Sequence, residues 1–70
     1  MSRGASQGVA RCILLLRRRE WTRYELAKEL GVSPRTVVRY LKDIEAAGLD
    51  LAVREEPLDH NIRHFSLNTL

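Results

Sequence analysis

Residues 22–49 read TRYELAKELGVSPRTVVRYLKDIEAAGL, and the reading of this stretch decides the fold. Thr22 followed three residues later by Glu25 is a capping box, so a helix starts at Thr22. Leu26, Ala27 and Leu30 form its apolar side. Gly31 stands where a helix ends on a left-handed residue. Ser33 then caps the next helix, the third of the chain, with Pro34 at its first position, where a missing N–H costs nothing. That helix runs to about Ala47, and Gly48 stops it. Val37, Tyr40, Leu41 and Ile44 mark its inner side.

The link Gly31-Val32-Ser33 is too short for the two helices to lie side by side, so they meet steeply, as in a helix-turn-helix. Val32 points inward and pins the turn. Stepping about 100° per residue from Val37 places Leu41 and Ile44 within about 40° of it. Arg35, Arg39 and Lys42 fall at roughly 160°, 200° and 140°, a basic ridge turned away from the core. Thr36 and Val38 flank the ridge. Such a ridge with short neighbours fits the major groove of B-DNA, where Arg bridges guanine O6 and N7.

Working outward, Val9, Cys12, Ile13 and Leu16 fall at helical spacing, and Ser6 is a candidate N-cap for a first helix over about 6–18. Leu14 and Leu15 lie off that stripe, as part of a wide buried face or a partner surface. Beyond Gly48 the period changes to two. Leu51 and Val53 alternate with Ala52 and Arg54, and Arg63, Phe65 and Leu67 alternate with Ile62, His64 and Ser66. The Pro- and Asp-rich break between them makes a β-hairpin over about 51–67, with Phe65 and Leu67 inward. Trp21 reads as a core or edge-strand anchor clamping the second helix. The expected core is Ile13, Leu16, Leu26, Leu30, Val37, Leu41, Ile44, Leu49 and Phe65. The fold class is therefore mainly α with a small β-hairpin: a three-helix winged helix-turn-helix in a single domain over 1–70, frayed at 1–5 and 68–70.

Charge is unevenly placed along the chain. Residues 1–19 hold five Arg and no acid, and residues 33–42 hold Arg35, Arg39 and Lys42 without an acid. Residues 43–59 hold six acids against Arg54 alone. Two basic blocks point to a polyanion-facing side. The composition, 44% hydrophobic and 30% charged, excludes wholesale disorder, and 70 residues exclude a two-domain enzyme. The one cysteine, Cys12, forms no disulfide framework and reads as a small buried hydrophobe in a reducing compartment. The longest apolar run, Cys12 to Leu16, is far short of the ~20 residues of a membrane span. His60 and His64 lack the partners of a zinc site. Neither Thr22 nor Ser33 has a histidine within reach to act as a nucleophile, so no enzyme, cofactor or metal is expected.

The same stretch, with its motif Glu25 to Val37 (ELAKELGVSPRTV) followed by Leu41, Ile44 and Gly48-Leu49, resembles the winged helix-turn-helix of DeoR-type repressors. It is similar also to the N-terminal domains of WYL-domain regulators and of biotin-ligase repressors. The resemblance implies that Ser33, Arg35, Thr36 and Arg39 face DNA. Two features differ: Val38-Arg39-Tyr40-Leu41 replaces an Arg-Arg-Asp-Leu run, and the hairpin tip carries Glu55, Glu56 and Asp59 where DNA-touching wings are basic.

The expected function is sequence-specific binding of double-stranded DNA as a cytoplasmic, nucleoid-associated transcription regulator, a repressor, with helix 33–47 in the major groove. Thr22, Arg23 and Tyr24 at the start of the second helix are backbone-contact candidates, and Lys42 a phosphate contact. A homodimer through Leu14 and Leu15 would match a two-fold site. The alternative is a winged helix that docks a partner protein, supported by the acidic hairpin tip and the residual Leu surface.

Overall fold

The computed structural model describes residues 3–68. Helix α1 spans Arg3–Leu16, strand β1 Trp21–Thr22, helix α2 Arg23–Leu30, helix α3 Pro34–Ala46, and strands β2 and β3 Leu51–Glu56 and Asp59–Leu67. The strands form one antiparallel sheet in the order β1-β3-β2. This is a winged helix-turn-helix, with the hairpin as the wing.

Both internal helices begin where their caps dictate. Thr22 Oγ1 accepts the Glu25 N–H at 3.1 Å, and Glu25 Oε1 accepts the Thr22 N–H at 2.9 Å, closing the capping box. Ser33 Oγ accepts the Thr36 N–H at 3.2 Å, with Pro34 at the first helical position. Between them Gly31 takes φ 70°, and the Val32 N–H reaches back to the Ala27 carbonyl at 3.0 Å. That bond satisfies one of the carbonyls a helix end leaves open, and the left-handed residue turns the chain into α3.

α1 departs from expectation at its start. It begins by Arg3, so Ser6 lies inside the helix and is not its cap, and the helix stops at Leu16 rather than near Arg18. Residues 1–2 and 69–70, expected to fray, lie outside the described residues. Asn68, also expected to fray, is held to Asp50 by a backbone bond and a side-chain bond, each 3.1 Å.

Strand β1 goes beyond the hairpin that the sequence predicts. Trp21 pairs with Phe65 and Thr22 with His64. Trp21 Nε1 donates to the Leu15 carbonyl at 2.7 Å, and the Arg19 guanidinium stacks 3.5 Å above the indole. Trp21 is thus an edge-strand anchor, but what it clamps is the C-terminal end of α1.

The core comprises Cys12, Leu16, Leu26, Ala27, Val37, Tyr40, Leu41, Ile44 and Leu67. Ile13, Leu30 and Phe65 are partly buried against it. Leu49 is a correction: it is 41% exposed, because the chain has left α3 and not yet entered β2. The α1–α3 crossing is close. A Cβ on Gly8 would sit 2.6 Å from Tyr40 Cζ, so the absence of a side chain lets the buried tyrosine ring lie against α1.

Candidate nucleic-acid interface

Val37, Leu41 and Ile44 anchor α3 to the core by one face, and this fixes what the opposite face presents. Arg35, Arg39 and Lys42 are exposed, as their angular positions require. Thr36 is half-buried, and its hydroxyl lies 3.0 Å from Ser33 Oγ. The hydroxyls of Ser33 and Thr36 therefore serve the helix cap first. Ser33 takes the Thr36 N–H through its side chain and the Val37 N–H through its carbonyl, while Pro34 has none. The Arg35 N–H is the donor of that first turn which the cap does not take.

A groove of about 620 Å³ runs between α3, the start of α2 and the inner face of the wing. Thr22, Arg23, Tyr24 and Lys42, singled out from the sequence, all border it. Arg23 donates to the Tyr24 hydroxyl at 2.9 Å and lies 5.0 Å from the tyrosine ring centroid. That bond turns the two side chains, half-buried and 54% exposed respectively, into one unit at the groove edge. The remaining four candidates, Ser33, Arg35, Thr36 and Arg39, lie along the first turns of α3 outside the groove lining.

Asn61 and Arg63 of β3 also line the groove, and neither is among the residues singled out from the sequence. For Arg63 a signal exists. It is two residues from Phe65 on a strand, so it shares the inward face, and its register partner is Glu55. The wing thus turns a cation toward α3 although its tip is acidic.

The opposite face of the wing is internally compensated. Arg54 Nε donates to Glu20 at 3.0 Å, and His64 Nε2 lies 2.9 Å from Glu56 Oε2. The hydrogen bond from Arg54 holds the Glu20 carboxyl below its ordinary range. In the core, burial pushes the Cys12 thiol up to about 11, so it is neutral and packs as an apolar group. Among the described residues no group of three His, Cys, Asp or Glu side chains could hold a metal ion. The His60 side chain lies outside the described residues. Among the described residues no helix is long and apolar enough to cross a membrane.

Comparison with known proteins places this geometry. No curated protein sequence matches the chain. Among solved structures, the adhesin competence repressor AdcR of Streptococcus pyogenes superposes with a TM-score of 0.77 at 24% identity, over 87% of this chain and 44% of its own. FabT of Streptococcus pneumoniae, solved in complex with DNA, gives 0.76 at 22% identity, over 90% and 43%. The MepR–DNA complex of Staphylococcus aureus gives 0.68 at 18%, over 96% and 52%. The chain therefore spans about half the length of these structures, and the likeness is one of fold. The sequence itself matches a family model, HTH_11, described as an HTH domain, over residues 11–57, which is most of the chain and includes both helices of the turn. With Gly31 turning α2 into α3 and the wing behind them, the chain belongs to this helix-turn-helix family.

Proposed function

We propose that this domain binds double-stranded DNA sequence-specifically as the reading head of a transcription regulator, a repressor, with α3 in the major groove. The observation that carries the reading is the exposed ridge Arg35, Arg39 and Lys42, set opposite the buried stripe of the same helix. Two structurally similar proteins, FabT and MepR, were solved with DNA, which supports the same use of the fold here.

In this reading Arg35 and Arg39 approach base edges from the first turns of α3, with Ser33 and Thr36 beside them. Lys42 meets a phosphate. Thr22, Arg23 and Tyr24 hold the backbone at the start of α2, joined by Asn61 and Arg63 across the groove. A single helix reads few bases, so two copies on a two-fold site are the expected complex. The place of action is the cytoplasm, on the nucleoid. Leu14 fits a partner surface, at 60% exposed, whereas Leu15 is half-buried against the core and fits one poorly.

The test is selection of bound duplexes from a random library, followed by titration of the winner at several salt concentrations. Three to five phosphate contacts give a log–log salt slope of roughly −3 to −5, from about −0.9 per contact. Enrichment of no motif, or a slope near zero, would falsify the reading and move weight to the protein-docking alternative.

A further inference from the structure

The outer face of α1 is a second basic surface, and the α3 ridge and its groove make no use of it. Residues 1–19 hold five Arg and no acid. Three of these, Arg11, Arg17 and Arg18, border one shallow hollow around Leu14, with Leu15 packed against the core beneath. The nearest acids do not offset them. Glu20 is bonded to Arg54 at 3.0 Å, and Glu25 closes the capping box and lies 3.8 Å from Arg19. Among the described residues, Arg11, Arg17 and Arg18 have no ion-pair partner. The negative end of a helix dipole attracts cations at its last turn, which accounts for Arg17 and Arg18 but not for Arg11.

The two basic surfaces point apart. Tyr40 is the α3 side chain that lies against Gly8 of α1. It stands roughly 100–160° around α3 from Arg35, Arg39 and Lys42. On α1, Leu14 stands about 160° from the buried Cys12. The shared core therefore lies between the surfaces, and a straight duplex seated on α3 leaves α1 uncovered. We infer that the outer face of α1 binds the phosphate backbone of a second DNA segment without sequence preference, so that one domain holds two duplexes together; the first duplex rests on the reading of α3 given above. A second copy of the same face would oppose guanidiniums to their own kind. One exposed leucine offers no apolar face to bury in a bilayer interface. The guanidinium fork suits phosphate oxygens. Three such contacts give weak binding with a log–log salt slope of about −2.7, from about −0.9 per contact.

The test immobilises a duplex carrying the selected site and saturates it with the whole chain at about 0.15 M salt, where charges more than about 8 Å apart are screened. Capture of a fluorescent random-sequence duplex is then read. The wild type should capture it. R11Q/R17Q/R18Q should fill the immobilised duplex with unchanged affinity and selectivity, keep its oligomeric state in sedimentation, and capture roughly tenfold less or worse. A wild type that fills the first duplex yet captures no second, whether or not it binds phosphatidylglycerol vesicles, overturns the inference. So does a triple variant that captures as well as the wild type. So does one that loses capture by becoming monomeric, since two α3 helices of a dimer would then have done the bridging. If no site is selected, the α3 reading is what fails, and α1 is judged alone. Arg35→Ala/Arg39→Ala protein should keep weak binding to a random duplex, and adding R11Q/R17Q/R18Q should abolish it. Residual binding that those three changes leave unmoved overturns the inference.

Discussion

Removing Arg39 and removing Lys42 should have different consequences, and the difference is calculable. Both side chains are exposed on α3, so truncating either should change stability by no more than about 0.5 kcal/mol, and affinity changes will not reflect unfolding. Arg39 stands in the second turn, opposite Val37 and Leu41, and in the proposed reading this is where the ridge meets base edges. Arg39→Ala should lose about 1–3 kcal/mol on the selected duplex, roughly 5- to 140-fold in Kd at 1.4 kcal/mol per tenfold. On a scrambled duplex it should lose much less, so selectivity falls. Lys42 lies nearer the C-terminal half and borders the groove shared with Arg23 and Arg63. Lys42→Ala should weaken both duplexes equally and reduce the salt slope by about 0.9, so a rise from about 50 to about 200 mM salt would cost about 3.5-fold less affinity than in the wild type. Fluorescence anisotropy on both duplexes at four salt concentrations resolves these outcomes. An Arg39→Ala protein with undiminished affinity and selectivity refutes the placement of α3 in the groove.

Leu41, 4% exposed, is nearly all buried, and Leu41→Ala should cost about 2–5 kcal/mol, visible in a urea melt as a lower midpoint at unchanged slope. A Cβ on Gly31 would meet no atom within 4 Å beyond its chain neighbours, so the cost of substitution there is that of φ 70°: Gly31→Ala should lose about 1–2 kcal/mol, Gly31→Val more, and Gly31→Asn least. Equal melting temperatures across those three would show that the turn tolerates another backbone conformation. Gly8→Ala should destabilise by about 1–3 kcal/mol despite alanine's better helix propensity, because the buried Tyr40 ring must move; combining it with Tyr40→Phe, which removes the nearest atom, should recover part of the loss in thermal melts.

The parts of this fold that the sequence discloses are those decided by neighbours in the chain. The Thr22–Glu25 capping box, the Ser33-Pro34 start and the Gly31 turn each involve residues within five positions, and each forms as read. The alternation around Phe65 likewise places the hairpin. What escapes depends on distant partners. Two residues, Trp21 and Thr22, carry no period, and they become a strand only because β3 offers an edge to them. Leu49 is apolar and follows a helix, but its exposure is set by where the chain turns toward β2. Of the site, the α3 ridge follows from angular spacing alone. Arg63 is hidden by the acids of the hairpin tip, which dominate the local charge, although strand parity from Phe65 places it on the inner face.

The same parity explains how one small sheet serves two electrostatic purposes. Arg54 and His64 are register partners on the outer face, and there Glu20 and Glu56 compensate them. Arg63 and Phe65 belong to the other face, one side chain bordering the groove beside α3 and the other packed against the core. Two hydrogen-bonded strands cannot slip by one residue without exchanging these faces. A slip would bury the paired ions and carry Arg63 away from Lys42 and Arg23. Trp21 opposes that slip from the side of β3 away from β2, since its pairing with Phe65 is tied through the indole N–H to the end of α1. The register that keeps the apolar face inward is therefore also the register that brings the wing's cation to α3, and stability and charge placement are set by one pairing.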